Sequence, residues 1–158
     1  QQRLAWHLER CEVKRALPGV MDLLSVLRGR AGVTLGLLTG NFEESGIRKI
    51  RACGIDSEQF EVAAWGDDSP HTPPDRAHLP PVAMQRYAKR FSREIHPSRV
   101  TIIGDTQHDV RCAKVSGCRS IAVATGRATL DDLLAHSPDL ALQNLAETDR
   151  IVKWLGVK

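Results

Sequence analysis

Two spacings of apolar residues alternate along the chain. Short aliphatic and β-branched runs predict strands over residues 33–38, 60–65, 99–103 and 119–124, with a shorter one over 139–142. Between them, apolar positions recur every three or four residues and predict helices over 2–12, 18–29, 43–53, 80–92, 107–116, 129–136 and 146–155. Gly54 and Gly117 fall just past helical patterns, where a left-handed cap is wanted, and Pro18 suits a first helical turn. Strands alternating with helices imply right-handed crossovers and a parallel sheet covered on both faces. The one irregular stretch, the loop over 66–78, is rich in Asp, Pro and His and reads as the edge of a site. There is no internal repeat and no low-complexity tract.

The most informative segment is Val100-Thr101-Ile102-Ile103-Gly104-Asp105-Thr106-Gln107-His108-Asp109. A buried strand ending in a glycine turn sets Asp105 at the carboxyl edge of the sheet, where open α/β sheets build their sites. Asp109 follows one helical turn later on the same side. Two hard carboxylates there suit Mg²⁺, which takes one or two protein carboxylates and completes its shell with water and phosphate. An aspartate capping the next helix explains Asp105 equally well. A second strand ends in Thr39-Gly40-Asn41 ahead of a helix beginning at Glu43. A hydroxyl, a closely approachable glycine N–H and a helix start make a corner for an oxyanion, although all three residues also suit an ordinary turn.

Leu37-Leu38-Thr39-Gly40-Asn41 followed by Ile102-Ile103-Gly104-Asp105-Thr106 and Asp109 resembles the haloacid dehalogenase (HAD) superfamily of aspartate-nucleophile phosphotransferases, in its phosphoglycolate-phosphatase-like group. Leu17-Pro18-Gly19-Val20, Gly66-Asp67-Asp68, Leu79-Pro80-Pro81 and Val123-Ala124-Thr125-Gly126 fall in the order that group shows. The resemblance implies a three-layer, Rossmann-like α/β core with a parallel sheet. It implies that Thr39, with the Gly40 and Asn41 backbone, holds the transferring phosphoryl group. It also implies Mg²⁺ on Asp105, with Asp109 ligating directly or through water, and a small phosphorylated metabolite as substrate, phosphoglycolate being its suggestion. Positioning and charge stabilisation dominate phosphoryl transfer, so a metal, a cation and aimed donors carry most of its catalysis.

Two departures matter. The family places a lysine ahead of the helix between the two motif strands, and no lysine occurs between Lys49 and Lys89. Arg76 stands near that place, and a guanidinium neutralises and binds phosphate bidentately; a solvated loop arginine is the competing reading. His78 is a weaker substitute, being largely neutral at pH 7. The family's nucleophile and its acid–base partner lie in an Asp-x-Asp motif, and the chain contains none. The pairs Asp67-Asp68 and Asp131-Asp132 have the wrong spacing, Asp56-Ser57-Glu58 follows the helix-ending Gly54, and Asp22 sits on the solvent face of a helix.

The chain opens Gln1-Gln2, and Leu4 to Glu12 resembles the last helix of a family cap domain. The expected organisation is therefore a cap remnant and linker over 1–17 and a core over 18–158, the C-terminal part of a longer phosphatase whose nucleophile strand and most of whose cap are absent. In the family that strand lies between those ending at Thr39 and Gly104. Its loss predicts a core incomplete at its centre, with a gap filled by another segment, a partner chain or a rearranged strand order. The alternative is a HAD-like module that binds or interacts without catalysing.

Composition narrows the classes. With 22 basic against 19 acidic side chains, the formal charge of +3 is too dispersed to argue for nucleic acid. No apolar run approaches the roughly 20 residues that span a bilayer. Cys11, Cys53, Cys112 and Cys118 form no CxxC pair, which points to free thiols and a reducing, cytoplasmic setting rather than to zinc.

Overall fold

The structure, a computed structural model, describes residues 15–70 and 75–157. The expected helix over 2–12 and Cys11 lie outside these residues. In chain order the elements are α1 (Val20–Leu27), β1 (Gly36–Leu38), α2 (Glu43–Ala52), β2 (Val62–Ala64), α3 (Leu79–Phe91), β3 (Thr101–Gly104), α4 (Gln107–Val115), β4 (Arg119–Val123), α5 (Leu130–Leu134), β5 (Leu140–Leu142) and α6 (Thr148–Leu155). Single 3₁₀ turns at Ser57–Gln59, Gly66–Asp68, Arg76–His78 and Pro97–Arg99 join them. Two of these lie inside the stretch read from the sequence as loop. Gly54 and Gly117 take the expected left-handed conformation, at φ +76° and +68°.

Pro18 does not open α1. The helix starts at Val20 after a left-handed Gly19, and the Pro18 carbonyl instead accepts a hydrogen bond from Leu145 N (3.2 Å). A Cβ on Gly19 would run into the Leu145 backbone, so the glycine is required by this crossing of two chain segments. The short α5 ends two residues before the predicted limit, because Pro138 disfavours helical geometry at Ser137, which sits at φ +52°.

All strand pairs are parallel, in two sheets. β1 pairs with β2 in the register Gly36↔Val62 to Leu38↔Ala64, and β3, β4 and β5 form the second sheet in that order. Both sheets share their cores. On one face, Leu23 and Leu27 of α1 and Ile151 of α6 pack on Ile121, Val123 and Leu142, joined by Val33 and Leu35 from the approach to β1. On the other, Cys112 and Ala113 of α4 pack on Ile102 with Leu38 of β1 and Met84 of α3. The result is the expected three-layer, Rossmann-like α/β architecture.

Among the described residues no ladder joins β1 to β3. The paired orders are β1-β2 and β3-β4-β5, and burial differs between paired and edge positions of these residues. Ile103 is in register with Ile121 and so points to the same face, yet Ile121 is 1% exposed and Ile103 36%. Among the described residues Ile121 has a strand on each side and Ile103 has one. Gly36 is likewise exposed and Leu37 and Leu38 only half-buried. Inner strands of a parallel sheet are buried on both faces. β1 is shorter than the apolar run that predicts it, with Glu61 N–H bonding the Leu35 carbonyl as the ladder's first rung.

Candidate active site at the carboxyl edge of the sheet

Beyond Leu38 the chain continues the ladder for one rung, Thr39 N–H to the Ala64 carbonyl (3.1 Å), and then turns. The Thr39 hydroxyl oxygen accepts two hydrogen bonds, from Asn41 N (3.2 Å) and from Asn41 Nδ2 (2.8 Å). Lys49 Nζ, on α2, donates to Asn41 Oδ1 at 2.6 Å. The corner is also gripped from β2's side: Gly66 N–H donates to the Asn41 carbonyl (2.8 Å), and the Asp67 carboxylate accepts from Glu43 N, in the first turn of α2. Trp65, 6% exposed, lays its ring against Gly46 of α2, leaving no room for a Cβ there.

A Cβ on Gly66 would collide with the Gly40 carbonyl, which is backbone and cannot swing aside. Gly66→Ala is therefore expected to lower unfolding free energy by about 1–3 kcal/mol, read by denaturant titration. A change within the error of the fit would show that the Thr39–Asn41 corner tolerates displacement.

Arg76 bridges the two sheets at this edge. Its Nε would stand 2.9 Å from a Cβ on Gly40, and its Nη1 lies 3.3 Å from Asp109 Oδ1. Its carbonyl accepts the Cys112 thiol proton (Sγ–O 3.0 Å). Burial, with the Asp109 carboxylate nearby, pushes that thiol up to about 12, so it remains a protonated donor. The Arg76 backbone is thus pinned from α4 while its side chain, nearly half-exposed, spans the mouth of the site. A cavity of about 350 Å³ opens here, lined by Gly40, Phe42, Gly66, Asp75, Arg76 and Leu79.

The two expected metal ligands differ in their commitments. Asp109 Oδ2 accepts from Thr106 N (3.1 Å) and Thr106 Oγ1 (2.7 Å), closing a reciprocal cap at the start of α4, while Oδ1 faces Arg76. Asp105 is half-buried against Gly126, and its carboxylate accepts no hydrogen bond from the described residues. A capping role, open from the sequence, therefore falls to Asp109 and Thr106 rather than to Asp105. The donor set fits Mg²⁺ in its sparse form, one free hard carboxylate and one already shared, with no group of three or more His, Cys, Asp or Glu among the described residues.

The other acidic candidates have structural work. Burial raises the Asp68 carboxyl, but the bidentate Arg86 guanidinium (2.6 and 2.7 Å) and Trp65 N–H outweigh it and hold the group below its ordinary value. Asp132 is lowered by its hydrogen bonds from the Thr129 hydroxyl and N–H, Asp56 caps the turn at Ser57, and Asp22 is exposed. Lys49 was not a candidate from the sequence. Its position eight residues after Asn41 carried no motif; only the direction of α2 brings the two together.

A family model described as HAD-hyrolase-like matches residues 78–148, which include Asp105 and Asp109. A phosphoglycolate phosphatase of Nitrosospira multiformis is 27% identical over 139 residues, covering 88% of this chain and 57% of the relative. The Escherichia coli K12 phosphoglycolate phosphatase is 28% identical, covering 81% and 47%. Among solved structures, CbbY of Rhodobacter sphaeroides in complex with xylulose-(1,5)bisphosphate superposes with a TM-score of 0.73 at 26% identity, over 91% of this chain and 60% of that one. The chain thus spans about half the length of the curated relatives it matches. Motif order, fold and these likenesses agree: the chain is similar to the haloacid dehalogenase superfamily, and within it to phosphoglycolate phosphatases.

Proposed function

We propose that this chain is the C-terminal part of a Mg²⁺-dependent phosphatase that hydrolyses a small phosphorylated metabolite through an aspartyl-phosphate. The observation that carries the reading is the carboxyl edge itself, where Arg76 stands between Gly40 of the Thr39–Asn41 corner and Asp109, with no ladder joining β1 to β3 among the described residues. A strand inserted there would carry a carboxylate into the site from its own carboxyl end. Thr39 and the Gly40 and Asn41 N–H groups would hold the phosphoryl oxygens, and Arg76 would balance their charge. Asp105 would hold Mg²⁺, with Asp109 as a second ligand directly or through water; when bound, the ion neutralises phosphoryl charge. The core over 18–158 would be completed by upstream residues, with 1–17 as the link to a cap. Phosphoglycolate is the substrate suggested by the relatives' names. A cytoplasmic setting goes with the free thiols of Cys53, Cys112 and Cys118 and with the lack, among the described residues, of a helix able to cross a membrane.

On this reading the 158 residues alone have no phosphatase activity, because no Asp-x-Asp supplies a nucleophile and its proton partner. The test is an assay of a generic phosphate ester with Mg²⁺, comparing this segment with the same segment plus its native upstream residues. Activity only in the longer chain is expected. Turnover by the segment that vanishes with Asp105→Ala would mean that the nucleophile is already present. An inactive longer chain without Asp-x-Asp would favour the non-catalytic module.

A further inference from the structure

We propose that Lys49 is a positioning residue that commits the Thr39 hydroxyl to donate to a bound anion, acting through the Asn41 side-chain amide. The inference rests on the reading of the Thr39 corner as the phosphate site.

The argument is one of donors and acceptors. A lysine ammonium has three N–H donors and no acceptor, so the Asn41 atom 2.6 Å from Lys49 Nζ must be the carbonyl oxygen. That orients the amide, and the Nδ2 group is turned onto Thr39 Oγ1 at 2.8 Å. The Asn41 backbone N–H takes the same oxygen at 3.2 Å. A hydroxyl has two lone pairs and one proton. Both lone pairs are engaged, so the proton must point to an acceptor elsewhere. Were the amide free to flip, its oxygen would compete for that proton and the hydroxyl would be spent within the turn.

Lys49 prevents the flip. It is half-buried, its charge polarises the amide, and charge-assisted bonds of this length are the strong ones. The arrangement is a relay from ammonium to amide to hydroxyl, on the residue next to Gly40, which lines the cavity with Arg76. Lys49 thus acts beside Arg76 without touching the anion, and its contribution depends on Asn41.

The test uses inorganic phosphate as the probe, titrated into the chain and followed by ³¹P NMR, with Thr39→Ala, Lys49→Met, Asn41→Ala and the Lys49→Met/Asn41→Ala double variant. Melting curves confirm that each is folded. Lys49→Met is expected to weaken phosphate about tenfold, and to shift the Asn41 side-chain amide resonances in the phosphate-free protein. In the Asn41→Ala background the same substitution should cost less than roughly twofold, the signature of two residues acting as one unit. An equal loss in both backgrounds would overturn the relay and make Lys49 a simple distant charge. Unchanged affinity in Lys49→Met alongside lost binding in Thr39→Ala would overturn the relay while leaving the site intact. Phosphate binding indifferent to Thr39→Ala would overturn the site reading itself, and the relay with it.

Discussion

Asp105→Asn, made in a longer chain that supplies an Asp-x-Asp strand, is expected to reduce Mg²⁺-dependent turnover by more than about 100-fold. The half-buried Asp105 carboxylate has no hydrogen-bond partner among the described residues, so no structural bond is lost by making it an amide. What is lost is a hard, charged oxygen, and Mg²⁺ discriminates strongly for it. The expected signature is a large fall in kcat, incompletely recovered at high Mg²⁺, with the melting temperature unchanged or raised. Asp109→Asn differs: that carboxylate also caps α4 and faces Arg76, so activity and stability should fall together. Turnover unchanged in Asp105→Asn would remove Asp105 from the metal site.

In the same longer chain, Arg76→Ala is expected to lower kcat/KM by about 10²–10³-fold with little change in stability. The Arg76–Asp109 pair is 3.3 Å long and its arginine 46% exposed, so solvent screens it. The backbone bond from Cys112 survives the substitution. Arg76→Lys keeps the charge but not the planar fork that spans from Gly40 to Asp109, and should retain a minor share of activity. Equal kcat/KM in Arg76→Ala and the parent would show that the arginine is a solvated loop residue, the reading the sequence left open.

The strand ends, and with them the place of the candidate site, were legible in the sequence. An apolar run followed by Thr-Gly-Asn, and another followed by Gly-Asp, can only finish at a sheet edge, because strand and helix periods are local properties of the chain. The left-handed glycines at 54 and 117 were legible for the same reason. The absent Asp-x-Asp was equally plain, and among the described residues no ladder joins β1 to β3.

Other features were decided only by packing. Pro18 matched a helix start by composition, but the segment at Leu145 crosses there and a left-handed Gly19 must precede the helix. Asp67 and Asp68 had the wrong spacing for the nucleophile motif, but only the fold set the first against the start of α2 and the second against Arg86. Asp105 and Asp109 shared one motif, yet their different duties follow from which neighbours reach each oxygen. The Lys49–Asn41 contact and the thiol bond from Cys112 to the Arg76 carbonyl join residues 8 and 36 positions apart. No periodicity encodes such distances. They depend on the direction in which helices leave the sheet, which is set by burial on both of its faces rather than by any local run of residues.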